Sequence, residues 1–576
     1  MTETPTQRLD RVLHAAAAPL TGGLSPVSLA LAMADWGWHL GVSPGRQLEL
    51  AALAAQLGAD TLRQHDGAAE GGAGARDDDP RFRHEAWAAW PYSQLRAGFR
   101  NAEAFWREAA RVPGMSAHHA EMTQFFAKQW LAMLAPANWL LSNPVVLNDA
   151  VESQGAHLAQ GLRHWLADAS GTAAPPPSVR VGQDVAVTPG KVVHRNRLIE
   201  LIRYEAQSDK VHAAPLFILP SWIMKYYILD LSPHNSLVRY LVEQGHTVYM
   251  VSWRNPDASD HELGMDDYLS LGVLDALRAI GTLSPKGVGV QAMGYCLGGT
   301  LLAIAAAALA RAGSAPLLGY QDLPPLKTLS LLAAQTDFSE PGELGLFIDE
   351  SQIGLLDNLT RGKGYLSGKQ MAGSFQFLHS RDLVWTRRMR EYLMGEREQQ
   401  SDLMAWNADA TRMPARMHHE YLTSLYLHNA LAASSYRVNS HAVSLSELRM
   451  PVFMVGTERD HVSPWRSVYK LHHLCEAEIT FALASGGHNA GIVSPPGPHD
   501  QHPHRGYRIA SRPAHGAWLD ADDWLAQAHP HEGSWWPAWA QWLGRHGGRK
   551  QAATPIPARA VLADAPGSYV MQRYSD

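Results

Sequence analysis

The chain predicts an α/β fold, with a helical N-terminal region, a mostly parallel sheet and a helical cap insertion. Three observations carry that expectation. After about Ser178, apolar runs of strand length alternate with helical stretches, the rhythm of a parallel sheet covered on both faces. Ahead of that point the apolar residues recur at helical spacing and no strand pattern interrupts them. Between about Glu340 and Leu445 the alternation stops for a long helical interval, the natural construction of a lid.

Residues 1–58 carry Val27, Leu29, Leu31, Trp36 and Leu40 at helical spacing. A stretch rich in Gly, Ala and Asp, residues 59–78, reads as a linker. Residues 79–175 are helical again, with Trp87, Trp90, Trp106, Trp130 and Trp139, and Thr172 to Ser178 marks a Pro-rich boundary. The catalytic domain spans 180–560. Its strand candidates are Pro215–Pro220, Thr247–Trp253, Gly287–Met293, Leu326–Ala334, Pro451–Gly456 and Ile479–Ala484. Helices are expected at Asn235–Gln244, Asp266–Leu283 and Leu297–Ala312, and residues 561–576 form a tail.

Composition narrows the function classes. At 576 residues the chain has room for two or more folded regions, and 46% apolar with 18% charged residues is ordinary globular usage. A balance of 49 basic against 55 acidic residues, net −6, argues against a dominant nucleic-acid surface. Two cysteines far apart, Cys296 and Cys475, build neither a disulfide scaffold nor a cysteine zinc module. The start, Met-Thr-Glu-Thr, shows no secretory pattern, and the apolar run Leu301–Ala310 is too short to span a bilayer. A soluble, cytoplasmic protein is expected.

The most informative string is Gly294-Tyr-Cys-Leu-Gly-Gly299, between a strand and a helix. It is the nucleophile elbow of α/β-hydrolases with cysteine in place of serine. The nucleophile sits on a strained turn, small residues let helix and strand approach, and the helix N-terminus favours negative charge. In this fold the acid and then the histidine follow the nucleophile along the chain. Asp460 follows the strand Pro451–Gly456, and His488 follows Ile479–Ala484. Asp337 is a second candidate acid, and His461 is read as a supporting residue. The oxyanion hole is expected from the N–H groups of Leu297 and Ile223. His499, His502 and His504 resemble a crude metal cluster, but no cysteine or carboxylate pattern completes it, so no metal is expected. Trp535, Trp536, Trp539 and Trp542 suit a core helix better than a polymer-binding face.

These strings, with others, resemble the polyhydroxyalkanoate synthases, the class I enzymes in particular. The resemblance rests on Lys225–Leu231, Asn235–Tyr240, Glu243–Thr247, Ser252–Asp257 and Asp266–Tyr268. It continues through the Cys296 box, Asp382–Trp385, Trp406–Asp409, Asp460-His461 with Pro464-Trp465, Ser485–Pro496 and His531–Pro537. It implies Cys296 as acyl nucleophile, His488 as base and Asp460 as its partner. It further implies an (R)-3-hydroxyacyl-CoA substrate, most simply 3-hydroxybutyryl-CoA, with polyhydroxyalkanoate and free CoA as products. No cofactor is expected beyond the CoA that the substrate carries. The expected partners are the growing polyester chain and its granule surface, and a second copy in a homodimer. The chain departs from the family at Leu219-Pro-Ser-Trp-Ile-Met-Lys225, where Ser221 and Met224 replace the commoner Pro and Asn. The elbow and triad alone are equally compatible with a cysteine thioesterase or polyester depolymerase. A non-catalytic granule-coat protein is a third class, against which the complete Cys–Asp–His set argues.

Overall fold

The computed structural model describes residues 24–66, 79–170, 179–311, 322–371, 381–397, 401–497 and 505–574, with the single positions 6, 13 and 373. The chain forms two compact units. One comprises residues 16–177 with 372–400, and the other residues 1–15, 178–371 and 401–576.

The first unit is helical: α1 (Pro26–Gly41), α2 (Pro44–Asp66), α3 (Tyr92–Ala109), α4 (Ala117–Leu134), α5 (Pro144–Glu152) and α6 (Ala156–Ala169). Local chemistry sets the boundaries. Ser25 caps α1 and Asn143 caps α5, each followed by a proline whose missing N–H costs nothing at a helix start. Phe82, Trp87, Phe99, Ala135 and Ala137 form a core cluster. Over it Arg81 and Arg100 grip the buried Asp79 carboxylate at 2.6 and 3.3 Å. Helix α2 runs through Gly58 to Asp66, so the linker expected from residue 59 is helical for its first turns. The side-chain amide of Asn101 holds that stretch through the Leu57 carbonyl and the Thr61 hydroxyl. Residues 67–78 and the Pro-rich boundary 171–178 lie outside the described residues.

Part of the expected cap belongs to this helical unit. Residues 381–386 and 389–393 are helical, and the latter lie on α6. At Gly161 any Cβ would sit 2.0 Å from the Tyr392 carbonyl oxygen, so glycine alone allows the approach. Asp168 accepts from the Tyr392 hydroxyl at 3.1 Å and pairs with Arg397 at 2.5 Å.

The second unit is built on an eleven-stranded sheet: β1 (Gly190–Arg195), β2 (Ile199–Tyr204), β3 (Leu216–Leu219), β4 (Val248–Trp253), β5 (Val290–Tyr295), β6 (Leu326–Leu332), β7 (Val452–Thr457), β8 (Ile479–Ala484), β9 (Gly506–Arg512), β10 (His529–Glu532) and β11 (Ala563–Asp564). The spatial order is β10-β9-β8-β7-β6-β5-β3-β4-β2-β1-β11. Strands β4, β3, β5, β6, β7 and β8 run parallel, and the flanking pairs are antiparallel. Every residue of β5, β7 and β8 is buried, which is why each reads as a largely apolar run. Helix α7 (Leu297–Ala310) is buried nearly all round by Ala and Leu, and α8 (Trp536–His546) buries Trp536, Trp539 and Trp542. The tryptophans of α8 are therefore core, as their spacing suggested. The last segment is not a free tail: Ala563 and Asp564 pair with β1 as an edge strand.

Three buried histidines of this unit make stability acid-sensitive. Burial pushes His246 down to about 3, and His418 and His472 down to about 4. Below the ordinary value of 6.5 the unfolded chain takes up protons that the folded chain refuses, so stability is complete above that pH and lost as pH falls toward 4. By pH 5 each group removes about 2 kcal/mol. Urea unfolding at pH 7 and pH 5 should show this loss. His246→Phe, which keeps the ring and removes the titrating group, should shrink it by about 2 kcal/mol. An unchanged loss in that variant would contradict the assignment.

Candidate active site

The site lies beyond the carboxyl ends of the parallel strands, where open α/β sheets collect ligands. Cys296 follows β5 with φ 53° and ψ −127°, a strained conformation for a side-chain-bearing residue. Its N–H donates to the Leu332 carbonyl of β6 at 2.9 Å, tying the turn to the neighbouring strand. Two close approaches explain the surrounding glycines. A Cβ on Gly299 would meet the Ala334 methyl at 2.4 Å, and one on Gly298 would meet the Leu219 carbonyl oxygen at 2.3 Å. The second contact seats the first turn of α7 directly on the loop that follows β3. Leu297 is the first residue of that helix, so its N–H has no intrahelical acceptor.

Asp460 lies three residues beyond β7 and is 6% exposed. One carboxylate oxygen accepts from the N–H groups of Val462 and Ser463, both at 2.8 Å. The other accepts from the Thr457 hydroxyl at 3.1 Å and from His488 Nδ1 at 2.7 Å. His488 follows β8 through Ser485-Gly486-Gly487, and Gly486 at φ 109° makes the turn that presents the ring. Burial opposes protonation of the imidazole. The negative charge of Asp460, the Cys296 sulfur and hydrogen bonds to both outweigh it and raise the pKa well above the ordinary 6.5. With Nδ1 engaged by Asp460, Nε2 is the nitrogen left for sulfur. The structure thus brings Cys296, His488 and Asp460 into one chain of contacts.

The other candidates fall elsewhere. The Asp337 carboxylate accepts from the Ser339 N–H and hydroxyl and from the Asn429 amide, with no bond to His488. His461 is exposed. Cys475 is 4% exposed and burial pushes its thiol up. His499, His502 and His504 lie outside the described residues, and among those described no group of three or more His, Cys, Asp or Glu is placed to hold a metal. Ile223 stands in the loop after β3, its carbonyl accepting from the Thr411 N–H at 3.3 Å. Met224 forms an isolated bridge with Ala410, and the Ser221 hydroxyl is buried without a partner.

Several neighbours escaped the sequence reading. The Tyr295 ring stacks on His488 with centroids 5.7 Å apart, and its hydroxyl donates to the Asn489 amide oxygen at 2.6 Å. Both flank residues already singled out, yet nothing in their spacing marks a contact across 194 positions. Behind them Trp535 and Trp536 donate from their indole N–H groups to the Gly491 and Ile492 carbonyls, each at 2.9 Å. Tyr421, buried, and Tyr426, partly buried, come from the insertion and lie within electrostatic reach of the Cys296 sulfur, which joins desolvation in raising both phenol pKa values. Their hydroxyls bond at 3.1 Å, while Phe338 packs on Tyr426 and Trp222 on Tyr421. These rings form an aromatic wall beside the site.

A cysteine on a nucleophile elbow, backed by a His–Asp pair from the loops after β7 and β8, defines a member of the α/β-hydrolase fold class. The family model described as alpha/beta hydrolase fold matches residues 214–495. Those described as Poly-beta-hydroxybutyrate polymerase (PhaC) N-terminus and Poly-beta-hydroxybutyrate polymerase N terminal match residues 78–241 and 4–46. The chain is 36% identical over 514 residues to the poly(3-hydroxyalkanoate) polymerase of Methylorubrum extorquens, covering 86% of this chain and 81% of that one. It is 35% identical over 506 residues to the polymerase subunit PhaC of Cupriavidus necator, covering 85% and 83%. Similarity to poly(3-hydroxyalkanoate) polymerase 2 of Ectopseudomonas oleovorans is 32% over 510 residues, covering 86% and 87%. The chain belongs to the poly(3-hydroxyalkanoate) polymerase family, whose members are acyltransferases.

Proposed function

We propose that the protein polymerises (R)-3-hydroxyacyl-CoA, most simply 3-hydroxybutyryl-CoA, into polyhydroxyalkanoate through a thioester on Cys296. The observation that carries this is His488 bonded to Asp460 through Nδ1, with the elbow cysteine sulfur near enough to its ring to favour the imidazolium. His488 takes the proton of Cys296 as the sulfur attacks the substrate thioester, and Asp460 stabilises the imidazolium. The N–H groups of Leu297 and Ile223 receive the oxyanion. CoA leaves with the proton from His488, so one thioester replaces another with little loss of driving force. The acyl group therefore stays activated. His488 then takes the proton of an incoming 3-hydroxyl, whose oxygen attacks the acyl carbon, forming the ester and returning sulfur to its starting state. A serine ester would lie lower in energy and resist that second transfer. CoA arrives on the substrate and leaves as a product, so the reaction calls on no cofactor held by the protein.

Water must be kept from the acyl-enzyme, because hydrolysis would end synthesis. The aromatic wall of Tyr421, Tyr426, Phe338 and Trp222 supports that exclusion. Granule association finds support in the helical unit, where Trp38, Trp130, Trp139 and Trp165 are exposed. No described helix is long and apolar enough to cross a membrane. A cytoplasmic, granule-bound homodimer is the assembly we propose. Incubation with (R)-3-hydroxybutyryl-CoA separates the readings. CoA release with insoluble polyester is expected, whereas CoA with free hydroxy acid would favour a hydrolase. No turnover with retained binding to polyester particles would favour a coat protein.

A further inference from the structure

We propose that residues 568–574 are a strap that holds the loop after β3 at its working position, with Lys225, Arg573 and Tyr574 as positioning residues. The proposal rests on the reading of that loop as the oxyanion loop.

Loop 220–225 carries little secondary structure of its own, and its carbonyls are tied down one by one. The Trp253 indole N–H donates to the Pro220 carbonyl at 2.9 Å, and the Thr411 hydroxyl to that of Trp222 at 3.0 Å. The Thr411 N–H donates to Ile223, and the Trp406 indole N–H to Lys225 at 2.7 Å. The braces at 406–411 are themselves held by the strap. Arg573 pairs at 3.2 Å with Asp409, which is 8% exposed and also accepts from the Tyr227 hydroxyl at 2.9 Å. The Arg412 guanidinium is sandwiched between the rings of Tyr365 and Tyr574, 4.1 and 3.9 Å from their centroids. The backbone N–H of Arg412 donates to the Asn255 side-chain oxygen, and the Tyr574 hydroxyl donates to the Asn255 carbonyl.

The strap also reaches the loop directly. Lys225 is 3% exposed, and its ammonium donates to the Gln572 carbonyl at 2.7 Å and to that of Tyr569 at 3.5 Å. A cation in that position needs these acceptors, because a buried charge without them is costly. The near end of the strap is anchored independently. Glu200, fully buried, accepts from the Ser568 N–H and hydroxyl and the Tyr569 N–H at 2.8–2.9 Å. A segment fixed at Glu200 and pulling on Lys225, Asp409 and Arg412 determines where the Ile223 N–H points. The triad has no partner in it: Asp460 and His488 are held by Thr457, Val462, Ser463 and Tyr295.

The test is the full-length double variant Arg573→Ala/Tyr574→Ala, read three ways. The kcat for CoA release from (R)-3-hydroxybutyryl-CoA should fall about tenfold or more. Alkylation of Cys296 by iodoacetamide, which needs the triad but no oxyanion hole, should stay within about twofold. Amide exchange at 220–225 should quicken. Arg573→Lys, which keeps the ion pair to Asp409, should retain most of kcat. Unchanged exchange at 220–225 would overturn the strap. Faster exchange with intact kcat would overturn the oxyanion reading on which it depends. A parallel fall of kcat and alkylation would also overturn it, since the damage would then have reached the triad.

Discussion

Cys296→Ala is expected to lose CoA release from (R)-3-hydroxybutyryl-CoA by at least about 10⁴-fold, because every step runs through a bond to that sulfur. The backbone strain at φ 53° belongs to the turn, not to the thiol, so the alanine variant should fold and bind substrate. Cys296→Ser should also fold. It should fall nearly as far, since a hydroxyl is the poorer nucleophile and its ester the poorer donor. Cys475→Ala is the matched control. That thiol is 4% exposed, and its carbonyl accepts from Arg512 at 2.8 Å, a backbone contact that the substitution leaves in place. Some stability should be lost to the small cavity, about 1 kcal/mol, with CoA release within about twofold of the parent. Comparable losses in the two variants would contradict the division of roles between the cysteines.

Asp460→Asn is expected to lower kcat by about 10²–10⁴-fold with little change in unfolding temperature. The amide oxygen of the asparagine still accepts from the Val462 and Ser463 N–H groups, which turns its NH₂ toward His488. Nδ1 must then accept rather than donate, and the ring proton moves to Nε2, where it faces the sulfur. With its proton on Nε2, the ring has no lone pair facing the sulfur and cannot take the proton of Cys296. The loss should appear in CoA release and in iodoacetamide alkylation alike, and a fall of less than about tenfold would show that the carboxylate is only structural.

The parallel core and the triad were legible in the sequence for the same physical reason. Strands buried on both faces read as apolar runs, and Asp460 and His488 follow such runs in the order the fold requires. Strands β1, β2, β9, β10 and β11 were not legible. Every residue of β10 is exposed, and β9 has only its last residue buried, so neither announces itself by hydrophobicity. Strand β2 is buried throughout, but Glu200 and Arg203 break its apolar run; Arg195 and Ser568 donate to Glu200, and Arg203 donates from one terminal nitrogen to the Thr554 carbonyl. The insertion was legible as helical and interrupting. That residues 372–400 belong with the N-terminal helices was not, because it depends on a backbone contact at Gly161 that no periodicity encodes. The same holds for Tyr295 with Asn489 and for Lys225 with Gln572: contacts between distant positions are set by the sheet order, and sheet order is not a local property.

The central claim is a covalent acyl group on Cys296. Mixing the protein with (R)-3-hydroxybutyryl-CoA, quenching in acid within the first turnover and mapping the peptides by mass tests it directly. The peptide containing Cys296 should carry one or more 3-hydroxybutyryl units, released by neutral hydroxylamine as a thioester is, while the Cys475 peptide stays unmodified. Turnover with no acyl group on Cys296, or with the group on another residue, would contradict the account.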